Sequence, residues 1–263
     1  MKTTTKVFAS LVLSSLPLFA QAQSAQSTSK PIAIPQVSDQ WSFSVTPYLW
    51  AVNMHGETYY KDRPVAAATM TTSEMLSNLQ FGAMVEGEVH KGNWGFAANL
   101  LYASLQNSNS KMTGKVDLGT KTDMSMGVYN LAATYTVFNN NQAYVDAMLG
   151  ARIFNNNVKT SVNVEGTPFG TTLKSDTTMV TPIVGAKGRI RIADSDYFVP
   201  YYLDVGAAGP VQVTTQAMLG IGRAYDWGDV MLMANNLFYK IKTEGVTTNL
   251  DAYGAAVGVT FRF

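Results

Sequence analysis

Apolar and polar residues alternate along most of this chain from Trp41 onward. The clearest case is 253–263, where every second residue is apolar and the residues between are small or polar. A period of two is typical of a β-strand with two different faces. Ten segments of ten residues or more alternate in this way or run apolar, at 41–53, 81–90, 94–106, 122–137, 143–153, 181–192, 197–207, 212–225, 229–241 and 251–263.

The connections between these segments alternate in length. Short, turn-like joints occupy 91–93, 138–142, 193–196 and 226–228, whereas longer joints occupy 54–80, 107–121, 154–180 and 242–250, with 208–211 a short exception. Segments of about ten residues with this loop asymmetry are typical of membrane-spanning barrels. The pattern therefore predicts an all-β, transmembrane, antiparallel up-and-down β-barrel of about ten strands.

Two long joints contain structure of their own. Residues 72–79 (TSEMLSNL) combine a Thr/Ser cap with Glu74 in the first turn, which predicts a short helix in the first long loop. Residues 158–165 and 171–177 alternate around a glycine-rich turn and predict a hairpin. Twelve strands are therefore an alternative to ten, and eight is another.

Aromatic residues favour a membrane barrel over a water-soluble β-sandwich, whose strands would also alternate. They gather at the strand ends that are joined by short turns, which is typical of an interfacial girdle. The residues of this predicted girdle are Trp41, Trp94, Tyr135, Tyr144, Tyr197, Tyr225, Trp227, Phe261 and Phe263.

The first residues have the order of a secretory signal. Lys2 and Lys6 precede an apolar run at 7–20, which is too short to span a bilayer as a helix, and Ala20-Gln21-Ala22 forms a cleavage site before Gln23. Residues after this run are rich in Ser, Gln and Thr. The predicted organisation is a signal peptide at 1–22, a flexible leader at 23–40 and an outer-membrane barrel at 41–263.

Composition excludes several function classes. Removing 1–22 removes two lysines and no acid, which leaves 17 basic against 18 acidic residues. So balanced a charge predicts no nucleic-acid partner. The chain has no cysteine, so disulfides and thiolate chemistry are excluded. A mean hydropathy near zero agrees with alternating lipid-facing and lumen-facing residues.

The polar faces of the predicted strands place charged residues inside the barrel. Cross-strand neighbours of opposite sign can pair, so we expect the bases of 181–192 to pair with Asp146 and Asp204. Such a network predicts a plugged lumen, since barrels of this size are mostly filled. A narrow polar channel is the alternative. The predicted interior cluster is Glu86, Glu88, Asp146, Arg152, Lys187, Arg189, Arg191, Asp204 and Arg262.

Chemistry-bearing motifs are scarce. His90 ends a strand and is expected at the lumen mouth, and His55 stands near Glu57 in the first long loop. A surface enzyme acting on outer-leaflet lipid is a third alternative, with His55 as its candidate base, but no partner serine is evident. The sequence predicts no enzymatic activity, no cofactor and no metal site.

The opening strand, WSFSVTPYLW at 41–50, resembles a group of uncharacterised proteobacterial outer-membrane proteins. The segments TSEMLSNLQFG, EVHKGNWGFAANLLY, YYLDVGAAG and GVTFRF also fit that group. The resemblance implies a Gram-negative outer-membrane barrel and covers most of 41–263, and we expect the barrel to be a monomer. It implies no particular activity, so a structural or surface-interaction role is expected.

The last strand resembles the signal that the barrel-assembly machinery reads in bacterial outer-membrane barrels. This implies the assembly machinery as a partner, besides outer-membrane lipid and lipopolysaccharide. The residues that carry the resemblance are Tyr253, Val257, Val259, Phe261 and Phe263.

Overall fold

A computed structural model describes residues 33–113, 116–164 and 170–263 of the chain. The predicted signal peptide at 1–22, its cleavage site and the first part of the predicted leader lie outside the described residues.

Eleven strands and one short helix make up the described fold. The helix α1 spans Thr72–Asn78. The strands are β1 Ser42–Tyr60, β2 Arg63–Met70, β3 Leu79–Lys91, β4 Trp94–Thr113, β5 Val116–Asn139, β6 Ala143–Val164, β7 Gly170–Arg191, β8 Tyr197–Ala208, β9 Val211–Tyr225, β10 Gly228–Thr243 and β11 Val246–Arg262. In the part of the chain that the structure describes, no helix is long and apolar enough to cross a membrane.

Antiparallel pairing joins neighbouring strands around a closed ring. The pairing of β11 with β1 closes the sheet, so the barrel wall has ten strands, namely β1 and β3–β11. The short strand β2 pairs with the far half of β1. The alternating residues near 158–165 and 171–177 continue β6 and β7. The ten-strand prediction is therefore confirmed, and the alternatives of eight and twelve are wrong.

The two ends of the barrel differ. Short turns such as the one at 192–196 lie at one end, the short-turn end, where Phe43 and Phe263 also exchange backbone hydrogen bonds of 3.1 and 2.9 Å. At the opposite, long-loop end the wall is uneven, because β5 has 24 residues and β8 has 12.

The two faces of each strand are the ones that the alternation predicts. Apolar side chains cover the outside, where Leu49 is 78% exposed and Leu149 is 68% exposed. Aromatic pairs ring the short-turn end, with Trp94 and Tyr135 centroids 4.9 Å apart. Tyr144 is the exception: its assignment to the girdle is wrong, because it shares the inward face of β6 with Asp146 and is buried.

Helix α1 begins at a complete capping box. The Thr71 side chain accepts from the backbone N–H of Glu74, and the Glu74 carboxylate accepts from the backbone N–H of Thr71 at 2.8 Å. The Glu74 carboxylate accepts from the Thr71 backbone N–H and also from the Thr71 hydroxyl, and these two hydrogen bonds, the backbone one first, lower the pKa of the Glu74 carboxyl. The predicted helix is confirmed, and its Met75 is buried in the barrel interior.

Pairing along β1 is interrupted on one side. β1 pairs with β3 over Ser42–Pro47 and with β2 over Met54–Tyr60, and within the described residues no pairing joins 48–53 to either strand. The backbone N–H of Trp50 lies 3.3 Å from the Met84 sulfur. We call this interruption the β1–β3 seam. Helix α1 packs against β1 beside it, with the Thr72 N–H donating to the Asn53 side chain at 3.0 Å.

Candidate functional site

The interior carries two candidate regions, a belt of charged side chains and an apolar layer, and the outer surface carries a third, a polar face of a hairpin. The belt consists of Glu86, Glu88, Arg152, Lys187, Arg189, Asp204, Asp229 and Arg262. The most buried pair of the belt joins β6 to β8. The Arg152 Nη2 donates to Asp204 Oδ2 at 2.5 Å, and both side chains are fully shielded from solvent. Arg152 also donates to Asn130 at 2.9 Å and Thr214 at 2.9 Å. The guanidinium is thus almost completely satisfied within the protein.

A second group lies nearer the short-turn end. The Lys187 ammonium contacts Glu86 at 3.3 Å and also pairs with Glu88. The imidazole of His90 lies 3.2 Å from Glu88, at the lumen mouth where the sequence predicts it. Two carboxylates therefore share one buried ammonium.

A third group depends on an acid that the sequence analysis does not identify. Asp229, at the start of β10, is fully buried and accepts from Arg189 at 2.7 Å and from Arg262. Asp229 could have been identified from the sequence, because the alternation of 229–241 places it on the inward face of that predicted strand. The Arg189 guanidinium also stacks on Phe198, 4.6 Å from the ring centroid.

The pairing expected for the bases of 181–192 is wrong. Asp204 lies opposite Gly185, and a Cβ at that glycine would be 2.8 Å from Asp204 Cβ, so β7 offers no side chain there. Arg152 reaches over this gap instead. Asp146 is bound by Thr136 at 2.7 Å and Tyr144 at 2.5 Å, although Lys187 is its cross-strand neighbour.

Arg191 does not join the belt. Its Nε donates to the carbonyl of Ser195 at 2.7 Å, within the turn between β7 and β8. Within the described residues, Arg191 is therefore the one base of the predicted interior cluster whose side-chain hydrogen bond stabilises a turn and not the lumen. Outside the barrel, Arg223 lies over the rings of Tyr197 and Tyr225 at 5.5 and 5.1 Å, in the girdle at the short-turn end.

An apolar layer fills the lumen between the belt and the long-loop end. Sequence patterns do not distinguish these residues from lipid-facing ones, since both are apolar and alternate with small residues. We call them the apolar plug. The plug consists of Trp50, Val52, Met75, Leu105, Val128, Phe154, Met179 and Leu237.

A cavity of about 260 Å³ lies between the belt and the short-turn end. Its polar lining includes Tyr48, Glu86, Lys187 and Arg189, and residues 35–38 lie at its mouth. Those residues, from the predicted leader, are held to two turns of the short-turn end: Asn139 donates to the carbonyl of Pro35 at 2.8 Å, and Gly92 N–H to that of Ser38 at 2.8 Å.

The outward face of the β1–β2 hairpin carries the third candidate region. The Thr69 hydroxyl lies 2.9 Å from His55 Nδ1, and His55 Nε2 lies 3.2 Å from Glu57 Oε1. The Tyr59 hydroxyl donates to Glu57 Oε2 at 2.7 Å. The hydrogen bonds from Tyr59 and then from His55 lower the pKa of the Glu57 carboxyl, which lies beyond the apolar part of β1. We call these four residues the hairpin relay.

No protein-family model and no curated protein matches the chain. Solved structures match its fold. The outer-membrane protease OmpT from Escherichia coli is 9% identical, with a TM-score of 0.54 over 87% of this chain and 99% of that one. The NalP autotransporter translocator domain from Neisseria meningitidis is 12% identical, with a TM-score of 0.40 over 84% and 88%. At 9% identity the likeness to OmpT shows the fold alone, that of an outer-membrane β-barrel.

The residues of the predicted assembly signal lie on the outward face of β11 or at its end. Val257 is 50% exposed and Phe263 is 76% exposed, as the alternation predicts. Their recognition by an assembly machinery stays a prediction.

Proposed function

We propose that the protein resides in the outer membrane as a closed, non-conducting barrel whose role is structural or lies in interactions at the cell surface. The observation that carries this proposal is the apolar plug, which crosses the lumen above the belt. In this orientation the short-turn end faces the periplasm and the long-loop end faces outward.

The charges of the belt support a closed lumen. Arg152, Lys187 and Asp229 each bind oppositely charged side chains within the barrel. A solute or ion that replaced these partners would have to break buried ion pairs, which is costly. The outward apolar face and its girdle support outer-membrane lipid, including lipopolysaccharide, as the surrounding partner.

Single-channel recording in planar bilayers tests this proposal. The full mature protein should give no stable conductance steps. A Trp50→Ala and Met179→Ala double variant, which opens the plug, should conduct, whereas the lipid-facing control Leu149→Ala should behave as the wild type. Stable wild-type steps whose size changes with belt substitutions would contradict a closed lumen.

A narrow channel for small polar solutes is the second candidate. It is favoured by the cavity of about 260 Å³, whose lining includes charged groups such as Lys187 and Arg189 and which reaches from the leader residues 35–38 to the belt. Movement of the plug would then complete the path. In that case the wild type should conduct, with an ion preference that Lys187→Gln shifts toward cations.

A further inference from the structure

The hairpin relay lies just beyond the lipid-facing part of β1. Strand residues rise about 3.4 Å each, and a barrel tilt near 40° leaves about 2.6 Å of height per residue. His55 is therefore roughly 30 Å above Phe43 of the girdle, whereas the apolar band of such barrels is about 25 Å tall. The outward side chains below it, Leu49 and Ala51, are exposed and apolar. The relay thus lies at the level where lipid acyl chains join their head groups.

The hydrogen bonds of the relay run in one consistent direction. With His55 protonated on Nε2, the Thr69 hydroxyl donates to Nδ1, and Nε2–H donates to Glu57. Tyr59 donates to the second carboxylate oxygen. A hydroxyl, an imidazole and a carboxylate in this order are the parts of an activated oxygen nucleophile.

A second carboxylate, that of Asp251, lies on the strand next to His55 but has its own hydrogen-bond partner. Asp251 of β11 is the cross-strand neighbour of His55, but its carboxylate accepts from Asn236 at 2.5 Å. Glu57 is therefore the carboxylate that orients the ring. A hydroxyl and a histidine on opposite strands could not be matched from the sequence, because Thr69 lies in a stretch predicted to be loop.

We propose that Thr69, His55 and Glu57 form a hydrolytic site for the acyl esters of outer-leaflet lipids. The proposal goes beyond the function proposed above and rests on its membrane orientation alone, not on whether the lumen conducts. It departs from the sequence-based expectation that the protein has no enzymatic activity, and the experiment below distinguishes the two.

The reaction follows from the hydrogen bonds. Thr69 Oγ1 attacks the ester carbonyl while its proton passes to His55 Nδ1, and the imidazolium is stabilised by Glu57. The tetrahedral intermediate collapses, the C–O bond to the alcohol breaks, and His55 returns the proton to the leaving oxygen. Water then attacks the acyl-threonine with His55 as base, which releases the fatty acid and restores Thr69.

The surroundings of Thr69 suit this step. Among the described strands β2 pairs only with β1, so its other edge presents unpaired backbone N–H groups beside Thr69 that can stabilise the oxyanion. A hollow of about 250 Å³ lined by Glu57, Tyr59 and 64–67 lies on the side away from the membrane. The acyl chain would stay in the lipid below, and the alcohol part would enter this hollow.

Fatty-acid release from proteoliposomes tests the proposal. The full mature protein is reconstituted in phosphatidylethanolamine vesicles in one arm and in vesicles containing lipopolysaccharide in the other, and products are measured by mass spectrometry. Release in either arm supports the site and identifies the lipid source. Thr69→Val and His55→Asn should lower it at least about 100-fold, Thr69→Ser should retain activity, and Thr247→Val on the same surface is the matched control.

Two further measurements separate chemistry from folding. A fluorophosphonate probe should add its mass to Thr69 in the wild type and not in His55→Asn. Glu57→Gln, a positioning variant, should lower kcat and leave KM nearly unchanged, because the imidazole loses the carboxylate that orients it and stabilises its charged form in the transition state. Heat-modifiability on gels verifies the fold of each variant. Folded wild type that releases no fatty acid in both arms, or releases as much as Thr69→Val, overturns the proposal.

Discussion

Arg152 and Asp204 meet at 2.5 Å in the middle of the lumen, and neither side chain is exposed to solvent. Because Gly185 faces Asp204 on the neighbouring strand, the arginine of β6 crosses the space that a β7 side chain would occupy. The pair therefore ties β6 to β8 across β7 and braces that part of the wall from within.

Breaking this pair should destabilise the barrel strongly. Asp204→Asn and Arg152→Met each leave a buried partner charge, which costs about 3–5 kcal/mol. Urea unfolding in liposomes should show the two effects to be non-additive, so that the double variant is less destabilised than the sum of the singles. Arg191→Ala, whose side chain serves a turn, is the control. Additive and negligible changes would show that the lumen is wet enough to screen the pair.

Asp229 should matter more than either of its arginines. It accepts from both Arg189 and Arg262, so Asp229→Asn weakens two ion pairs at once. We expect it to cost about 2 kcal/mol more than Arg262→Gln in the same unfolding experiment, since only the aspartate is fully buried. Equal losses would mean that the carboxylate is not the shared centre of this group.

The alternation of the sequence was sufficient to predict the ten strands of the barrel wall and the two faces of most of them, although it missed β2 and placed Tyr144 on the wrong face. The outward side of Val257 and the inward side of Lys187 follow from a period of two, whatever the partners are. Ion pairs could not be predicted from the alternation, because a long charged side chain can reach acceptors on several strands. Lys187 lies directly opposite Asp146, yet its ammonium reaches the glutamates of β3.

Two other features were not predictable for physical reasons. The apolar plug consists of apolar side chains on inward positions, such as Leu237 and Met179, and the sequence does not show which apolar face meets lipid. The hairpin relay depends on the pairing of Thr69 with His55, which is set by a register inside a long connection. The residue pattern of a single strand does not show which residue of the neighbouring strand lies opposite each of its own.

The last strand should depend on its outward face. Val257→Asp places a charge on the lipid-facing surface inside the membrane, where charges are destabilising, acidic ones less than the roughly 2–4 kcal/mol of basic ones. Deleting Phe263 removes its two backbone hydrogen bonds to Phe43, at the closure of the barrel. Both changes should lower the amount of heat-modifiable barrel in outer-membrane fractions. Thr248→Asp, near the long-loop end of β11, is the control and should assemble normally.

Helix α1 should loosen at acidic pH. The pKa of Glu74 is lowered in the folded state, so the carboxylate stabilises the helix above its ordinary pKa of 4.5, and this contribution is lost as the pH falls below that value. Limited proteolysis within 71–79 should therefore accelerate in acid. Thr71→Ala, which removes the cap and costs about 1 kcal/mol, should show the fast cleavage already at neutral pH, and its pH dependence should be weaker.

The β1–β3 seam should be the least protected part of the barrel wall. Residues 48–53 of β1 pair with β11 on one side, but the Trp50 N–H on the other side meets only a sulfur at 3.3 Å. A weak acceptor holds an amide less firmly than a strand carbonyl does, so hydrogen exchange at Trp50 should exceed that at Leu232, whose strand pairs on both sides. Because α1 packs against β1 and its Met75 belongs to the same apolar cluster as Trp50, Met75→Gly should raise exchange at Trp50 and leave Leu232 unchanged. Equal protection of the two amides in the wild type would show that the wall is continuous there.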